Sequence, residues 1–314
     1  MTSLPGTSLP QTSLARTSLV RTEVVRPGMC GHNSLFIGEI GDWTWDAVSE
    51  VCGTDVLRAR DASGAPAYLS FYYYRVRGGR RFHLRTPAFG DRLRISTALY
   101  SCGSESVLTL HRISRSGTGE HGPIDLTEFY AGADSDCLYV ENLNRWVART
   151  AEDSNRELAR AAPPDFDHRH LPQIPAAYSP RPACHRARSA LTFLPEAARP
   201  AGEELRVDYA VDPSRDLNGA GLLYFASYFS IVDRVLLQWW REQRRTDAGF
   251  LARVVTDQQL CYLGNADAGT VITGVVRPWR VGGEPGHEFV NVVLRDRERV
   301  LAVCTLTLLR EETS

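Results

Sequence analysis

No lysine occurs anywhere in the chain, and every permanently basic residue is arginine. That absence removes Schiff-base chemistry and lysine-dependent phosphate loops from consideration, and it fits a GC-rich genome. The cysteines at 30, 52, 102, 137, 184, 261 and 304 stand singly, with no CxxC pair. An odd number of scattered thiols fits a reducing cytosol better than a disulfide framework. No apolar run reaches the about 18 residues of a membrane-spanning helix. The formal net charge is −1, so no basic field points to a nucleic-acid partner. DFDHRH (165–170) brings Asp and His together in a proline-rich stretch without completing ligands, so no metal or other cofactor is expected. RVGGEPG (280–286) lacks the strand-to-helix context of a phosphate loop.

What is present is 314 residues, 43% of them hydrophobic, enough to bury one large core or two medium ones. The chain opens on a degenerate repeat, TSLPG, TSLPQ, TSLAR, TSLVR, which predicts a disordered leader over residues 1–20. It lacks the charged segment and apolar block of a signal peptide. A strand is expected from Arg21, ending at Pro27–Gly28. DWTWDAVSEVC (42–52) predicts a helix with Asp42 as its N-cap, Trp43, Val48 and Val51 on one side, and Gly53 as its stop. VLRAR, AYLSFYYYRV, RRFHLRT, DRLRISTALY and SVLTLHRI then have strand character, separated by turn clusters as in an antiparallel meander. These elements define a first domain, 21–149. Residues 150–204, rich in Pro, Ala, Arg and His, read as a connector, opened by a helical RTAEDSNRELARAA.

The order then repeats over 205–314. LRVDYAV is a strand, GLLYFASYFSIVDRVLLQWWREQ (221–243) a long apolar helix, and four strand-like runs follow it. The halves can be laid over each other with Asn33 on Asn218 and Trp43 on Tyr228. A helix that is apolar nearly all round must be wrapped on most sides, and a curved sheet supplies that wrap. Trp239 and Trp240 accordingly read as core. The expected fold is α+β: a double hot-dog, two tandem domains, each an antiparallel sheet around a central helix.

Two loops ahead of the helices, MCGHNSLFIGEIGDW (29–43) and DPSRDLNGAGLLYFASY (212–228), are tight and polar. The second resembles the Asp–x–Asn–Gly loop of acyl-thioester hot-dog proteins through Asp216, Asn218 and Gly219. In that fold a thioester carbonyl lies against free N–H groups at the helix N-terminus, where the dipole favours developing negative charge. The plainer role for Asp216 and Asn218 is helix capping. His32 and Asn33 hold the matching place in the first loop.

VRPGMCGHNSLFIGEIGDWTW, YLSFYYYRVRGGRRFHLRTPAFGDRL and SESVLTLHRI, together with the rest of the chain from about residue 22, resemble the leinamycin-type bifunctional methylmalonyl-CoA:acyl carrier protein acyltransferase/decarboxylases of polyketide antibiotic pathways. The resemblance implies a cytoplasmic double hot-dog enzyme. It removes carbon dioxide from methylmalonyl-CoA and delivers propionyl to the phosphopantetheine of an acyl carrier protein. It also implies an essential tyrosine in the first domain, proposed as acyl acceptor. A homodimer is compatible with it.

The residue inventory permits this reaction. The thioester carbonyl is the electron sink, so decarboxylation needs a dry pocket, the carboxylate held across the carbonyl plane, and donors for the enolate oxygen. Helix amides with Asn33 or His32 are the expected donors, with Asn218 and Gly219 as substrate contacts. A phenol with an ordinary pKa of about 10 needs a base or cation nearby to accept an acyl group. His111 and the local arginines are candidates for that help, although a histidine in VLTLHRI is ordinarily structural. Strand alternation places Leu69, Phe71 and Tyr73 on a face packed against the helix, and Tyr68, Ser70, Tyr72 and Tyr74 on the face toward the other half. Tyr72 is the expected catalytic residue, with Tyr74 beside it; otherwise all four tyrosines are cross-strand packing. Arg80 and Arg81, in RVRGGRRFHLR, are candidates for CoA phosphate or an acidic carrier, or form a solvated hairpin. Three other functions stay open. A thioesterase or a dehydratase would draw on Glu39, Asp42, Asp216 or Asp233, and a non-catalytic acyl-thioester binder needs none of them.

Overall fold

A computed structural model describes residues 17–117, 122–132, 134–151 and 154–310. In the first half, β1 (Ser18–Val24) precedes α1 (Asn33–Cys52), followed by β2 (Tyr68–Arg77), β3 (Arg92–Ser101), β4 (Ser106–Arg115), the short α2 (Leu126–Ala131), β5 (Cys137–Ala151) and β6 (Ser154–Arg160). Then come α3 (Arg181–Ala190), the two-residue β7 (Arg199–Pro200), β8 (Leu205–Ala210), α4 (Phe225–Glu242) and α5 (Asp247–Ala252). The strands β9 (Val255–Tyr262), β10 (Val271–Arg280), β11 (His287–Asp296) and β12 (Arg299–Leu309) close the chain. The strands form one sheet in the order β1-β3-β4-β5-β2-β9-β12-β11-β10-β7, with β6 on β5 and β8 on β10. The halves meet where β2 pairs antiparallel with β9, from Tyr73 opposite Cys261 to Arg77 opposite Asp257. The helices α1 and α4 lie on one face of this sheet and pack against each other, as two hot-dog halves side by side. No helix among the described residues is long and apolar enough to cross a membrane.

Several elements differ from expectation for identifiable reasons. The leader positions 1–16 lie outside the described residues, but Ser18–Val20 already pair with Ser96–Ala98 in β1–β3. Helix α1 begins at Asn33 with His32 as its N-cap, so Asp42 lies inside the helix and caps nothing. Gly38 and Gly41 disguise this first half as a loop, because glycine disfavours helix interiors. Both are needed there: a Cβ on Gly38 would lie 3.1 Å from the Tyr224 Oη, and one on Gly41 only 2.1 Å from the Phe225 Cζ. With Ser34 bonded to Ser230 at 2.7 Å, these contacts run the two helices antiparallel at close approach. The C-terminal stop at Gly53 is as expected, in the left-handed region with φ 68.

The segment RTAEDSNRELAR is a hairpin, not a helix: β5 turns back into β6, Val147 opposite Arg160. Tertiary bonds override its helical pattern, since the buried Asn155 donates to the carbonyls of Gly221 and Ala266 at 2.7 and 3.2 Å. VLRAR and RRFHLRT are not strands; the latter is a tight turn, held by Thr86 Oγ1 between the amide and carbonyl of His83.

Alternation along β2 breaks in its middle. Phe71 pairs with Asn144 and Tyr73 with the next residue, Leu143, so Tyr72 is the extra residue of a β-bulge. Leu69, Phe71 and Tyr74 therefore face the helices, and Tyr73 faces the opposite side among Leu108, Leu110, Cys184 and Phe193. The expected partition is reversed for Tyr73 and Tyr74. Tyr74 is fully buried against Phe225 and Phe229, while Tyr73 donates to Gln259 Oε1 at 3.1 Å.

Candidate active site

Where β2 and β9 stop pairing, the sheet opens. Tyr73–Arg77 bond to β9 but Tyr68–Tyr72 do not, and the chain after β9 turns away through Leu263, Gly264 and Asn265. Between these diverging edges lies a cavity of about 720 Å³. Its walls include Tyr68, Ser70 and Tyr72 from β2, Arg145 from β5, residues 156–160 of β6, Arg188 from α3, and the loop and first turn leading into α4. Such a volume suits an extended small-molecule arm.

The loop before α4 is densely hydrogen-bonded. The Asp216 carboxylate is buried and accepts from Tyr209 Oη at 2.6 Å and the Asp212 amide at 2.8 Å. The Asn218 Oδ1 accepts from the amides of Ala220 and Leu222, both at 3.0 Å, while its Nδ2 has no acceptor among the described residues. Asn265 clamps Leu223 in both directions, at 3.0 and 3.1 Å. The cap residue of α4 is Tyr224, with no side-chain capping bond. Asp216 and Asn218 thus shape the loop through their side chains and do not cap the helix; the Ser227 amide bonds the Tyr224 carbonyl at 2.9 Å, while those of Phe225 and Ala226 keep their donor capacity. Asn33, the first residue of α1, and Asn218, in the loop before Phe225, are not structurally matched.

Tyr72 is the chemically distinctive wall residue. Its Oη accepts from Arg188 Nη2 at 2.9 Å, and the Arg145 guanidinium carbon sits 3.6 Å from its ring centroid. Burial pushes the phenol's pKa up, Cys261 adds to this, and the two arginines pull it down. Among the described lining residues there is no histidine, and the one carboxylate is Glu157, which is exposed.

A family model described as the LnmK N-terminal Hot Dog Fold domain matches residues 20–195, more than half of the chain. The chain belongs to that family. No curated protein matches the sequence. Among solved structures, a 12:0-ACP thioesterase from Umbellularia californica superposes with a TM-score of 0.57 at 12% identity, covering 97% of this chain and 98% of that one. An acyl-ACP thioesterase from Bacteroides thetaiotaomicron gives a TM-score of 0.54 at 8% identity, with coverages of 93% and 98%. A candidate oleoyl thioesterase from Lactobacillus plantarum gives 0.60 at 11%, with coverages of 94% and 97%. At these identities the likeness is one of fold: a hot-dog architecture found in proteins that process acyl thioesters.

The cavity gathers Tyr72 and Asn218 from the family-guided candidates, with the exposed Gly219 between two of its lining residues. The others lie elsewhere. His32 is exposed and bonds Ser34 Oγ at 2.6 Å, and Asn33 is buried with its Oδ1 unpartnered. Tyr74 is buried with an unpartnered hydroxyl. Arg80 and Arg81 are exposed beyond the far end of β2, Arg81 pairing with Asp136 at 3.4 Å. Glu39 accepts from Trp43 Nε1 on α1, the neighbouring Asp42 is raised to about 6 chiefly by burial, and Asp233 pairs with Arg253 at 2.6 Å. Local sequence pattern singles out neither Arg145, within β5, nor Arg188, in a segment without period. The apolar runs CLYV and WVA at the ends of CLYVENLNRWVA are the available signal for β5.

His111 is fully buried between Thr44 Oγ1 at 2.8 Å and Thr97 Oγ1 at 2.9 Å, on the helix face of β4. Burial lowers its pKa to about 3. A folded-state value below the unfolded 6.5 means stability that is complete above pH 6.5 and lost as pH falls toward 3. Thermal denaturation between pH 7 and 4 is expected to show this loss, at up to about 1.4 kcal/mol per pH unit. A His111→Gln variant flattens the slope; an unchanged slope refutes the assignment.

Proposed function

We propose that the protein is a decarboxylating acyltransferase that converts methylmalonyl-CoA into propionyl-S-acyl carrier protein, with Tyr72 as the transient acyl acceptor. The observation that carries this reading is the Tyr72 hydroxyl, bonded to a guanidinium in a cavity whose described walls hold no histidine. In the first step the bond between Cα and the carboxylate breaks, and its electron pair moves into the thioester as an enolate. Carbon dioxide leaves and a proton is taken up at Cα. Donors for the enolate oxygen are available in the Asn218 Nδ2 and the amides opening α4. In the second step the Tyr72 oxygen bonds to the acyl carbon, the C–S bond breaks, and the phenol's proton goes to the departing thiolate. The carrier's pantetheine thiol then reverses that exchange, releasing the phenol.

The exposed arginines of the rim, Arg156 and Arg160, flank the way in and suit an acidic carrier or a CoA phosphate. Arg80 and Arg81 are the alternative patch. Charge reversal at each pair separates them, since the KM for CoA substrate or carrier rises only for the pair that is used. Incubation with methylmalonyl-CoA and phosphopantetheinylated carrier, followed by intact-mass analysis, is expected to give propionyl-carrier. Free CoA with free acid would indicate a thioesterase with Glu157 placing water, and unaltered substrate a binding protein; either outcome removes the proposal.

A further inference from the structure

We infer that Arg145 and Arg188 form a guanidinium clamp that positions Tyr72 and holds charge on its oxygen, so that the segment between the halves completes the site. The inference rests on the reading of Tyr72 as acyl acceptor. The two arginines approach one ring from different elements. Arg145, half-buried on β5, stacks its guanidinium 3.6 Å from the ring centroid. Arg188, on the last turn of α3, lies 5.9 Å from the same centroid and donates to Oη at 2.9 Å. Neither has a carboxylate within ion-pair distance among the described residues, whereas the cavity's other arginines are compensated, Arg156 by Asp296 at 2.8 Å and Arg160 by Glu105 at 3.7 Å. Two like charges against one ring, without a counter-charge, are unfavourable as packing alone. They become favourable when the ring and its oxygen acquire negative charge.

The helix that carries Arg188 is anchored at both ends. Cys184 and Ala187 bury the inner side of α3, and Arg181 donates to the Cys102 carbonyl at 2.9 Å in the first half. Beyond the helix, Asn291 donates to the Leu191 carbonyl at 2.9 Å, and the Phe193 amide to Thr305 Oγ1 at 3.2 Å in the second. Both halves therefore anchor the helix that carries Arg188 beside Tyr72. A guanidinium cannot take the phenol's proton at neutral pH, so the clamp is no general base. It lowers the cost of charge on Oη while the acyl–oxygen bond forms and the proton passes to the leaving thiolate.

The groups facing Tyr72 are Arg145 from β5, Arg188 and Cys184 from α3, and Cys261 from β9; Tyr68, Arg156, Glu157, Arg160, Tyr228 and Tyr262 complete the charged and titratable part of the described wall. The test is titration of the Tyr72 phenol by 13Cζ-tyrosine NMR, assigned with Tyr72→Phe. Arg145→Met and Arg188→Met are each expected to raise the titration midpoint by about one unit, a tenfold change in ionisation. Arg188→Lys restores part of that shift, and kcat falls more than KM. Salt weakens the Arg188 contribution more than that of Arg145, because Arg188 is the more exposed. An unmoved midpoint in both Met variants overturns the clamp. Full activity of Tyr72→Phe removes the acyl-acceptor reading instead, and the midpoints separate the two failures.

Discussion

Tyr72→Phe is expected to abolish propionyl transfer, by on the order of 10³-fold or more in kcat, in a protein that folds normally. The substitution deletes one oxygen and leaves the ring beneath Arg145 and in the bulge of β2. Among the described residues the one hydrogen bond lost is to Arg188, an exposed side chain, so the melting temperature is expected to stay within about 1 °C of the parent. Two roles for the hydroxyl separate in the same experiment. With carrier withheld, an acyl acceptor gains the mass of a propionyl group in the parent protein and none in the variant. A hydroxyl that only steadies an enolate gives no adduct in either, while decarboxylation slows. A variant that transfers at the parental rate ends the assignment.

Gly41→Ala is expected to be the most damaging single-methyl change in the helix pair. An added Cβ would lie 2.1 Å from the Phe225 Cζ and within 3.0 Å of two further ring atoms. Phe225 is hemmed in by three rings, Phe71 at 4.1 Å between centroids, Tyr224 at 4.6 Å and Trp45 at 5.7 Å, and can yield only toward the cavity. Either α1 moves off α4 or the ring is forced from its rotamer, at a cost of about 3 kcal/mol. In a chain of this size that lowers the melting temperature by roughly 4–5 °C. Phe225 also lines the cavity, so substrate KM is expected to rise in the same variant. Gly28→Ala, where no atom lies within 4 Å of the added carbon, is the control and should be neutral. A parental melting temperature for Gly41→Ala refutes the close-approach account.

Much of the order of elements was legible because apolar periodicity is a local property. The strand at 68–77, the meander after it and the long helix from the Phe225 region onward all announce themselves in alternation or in a continuous apolar face. Elements were lost where a distant contact overruled local preference. Gly38 and Gly41 read as loop until Tyr224 and Phe225 press on them. Asn155 looks helical among its neighbours until it reaches Gly221 and Ala266.

The sequence by itself determined the absence of lysine chemistry, the duplicated strand–helix–meander order, the family through its long matching stretches, and the presence of a tyrosine cluster on one strand. Tertiary structure decided which of those phenols meets a cavity. One extra residue in β2 shifts the register against β5 and turns Tyr73 and Tyr74 to faces opposite those that strict alternation assigns. It leaves Tyr72 at the edge where β2 parts from β9, between an arginine of β5 and an arginine of α3. A bulge depends on how two strands pair, and the meeting of Arg145, Arg188 and Tyr72 joins residues far apart in the chain. Neither follows from local periodicity, because both are set by contacts that exist only after the chain has folded.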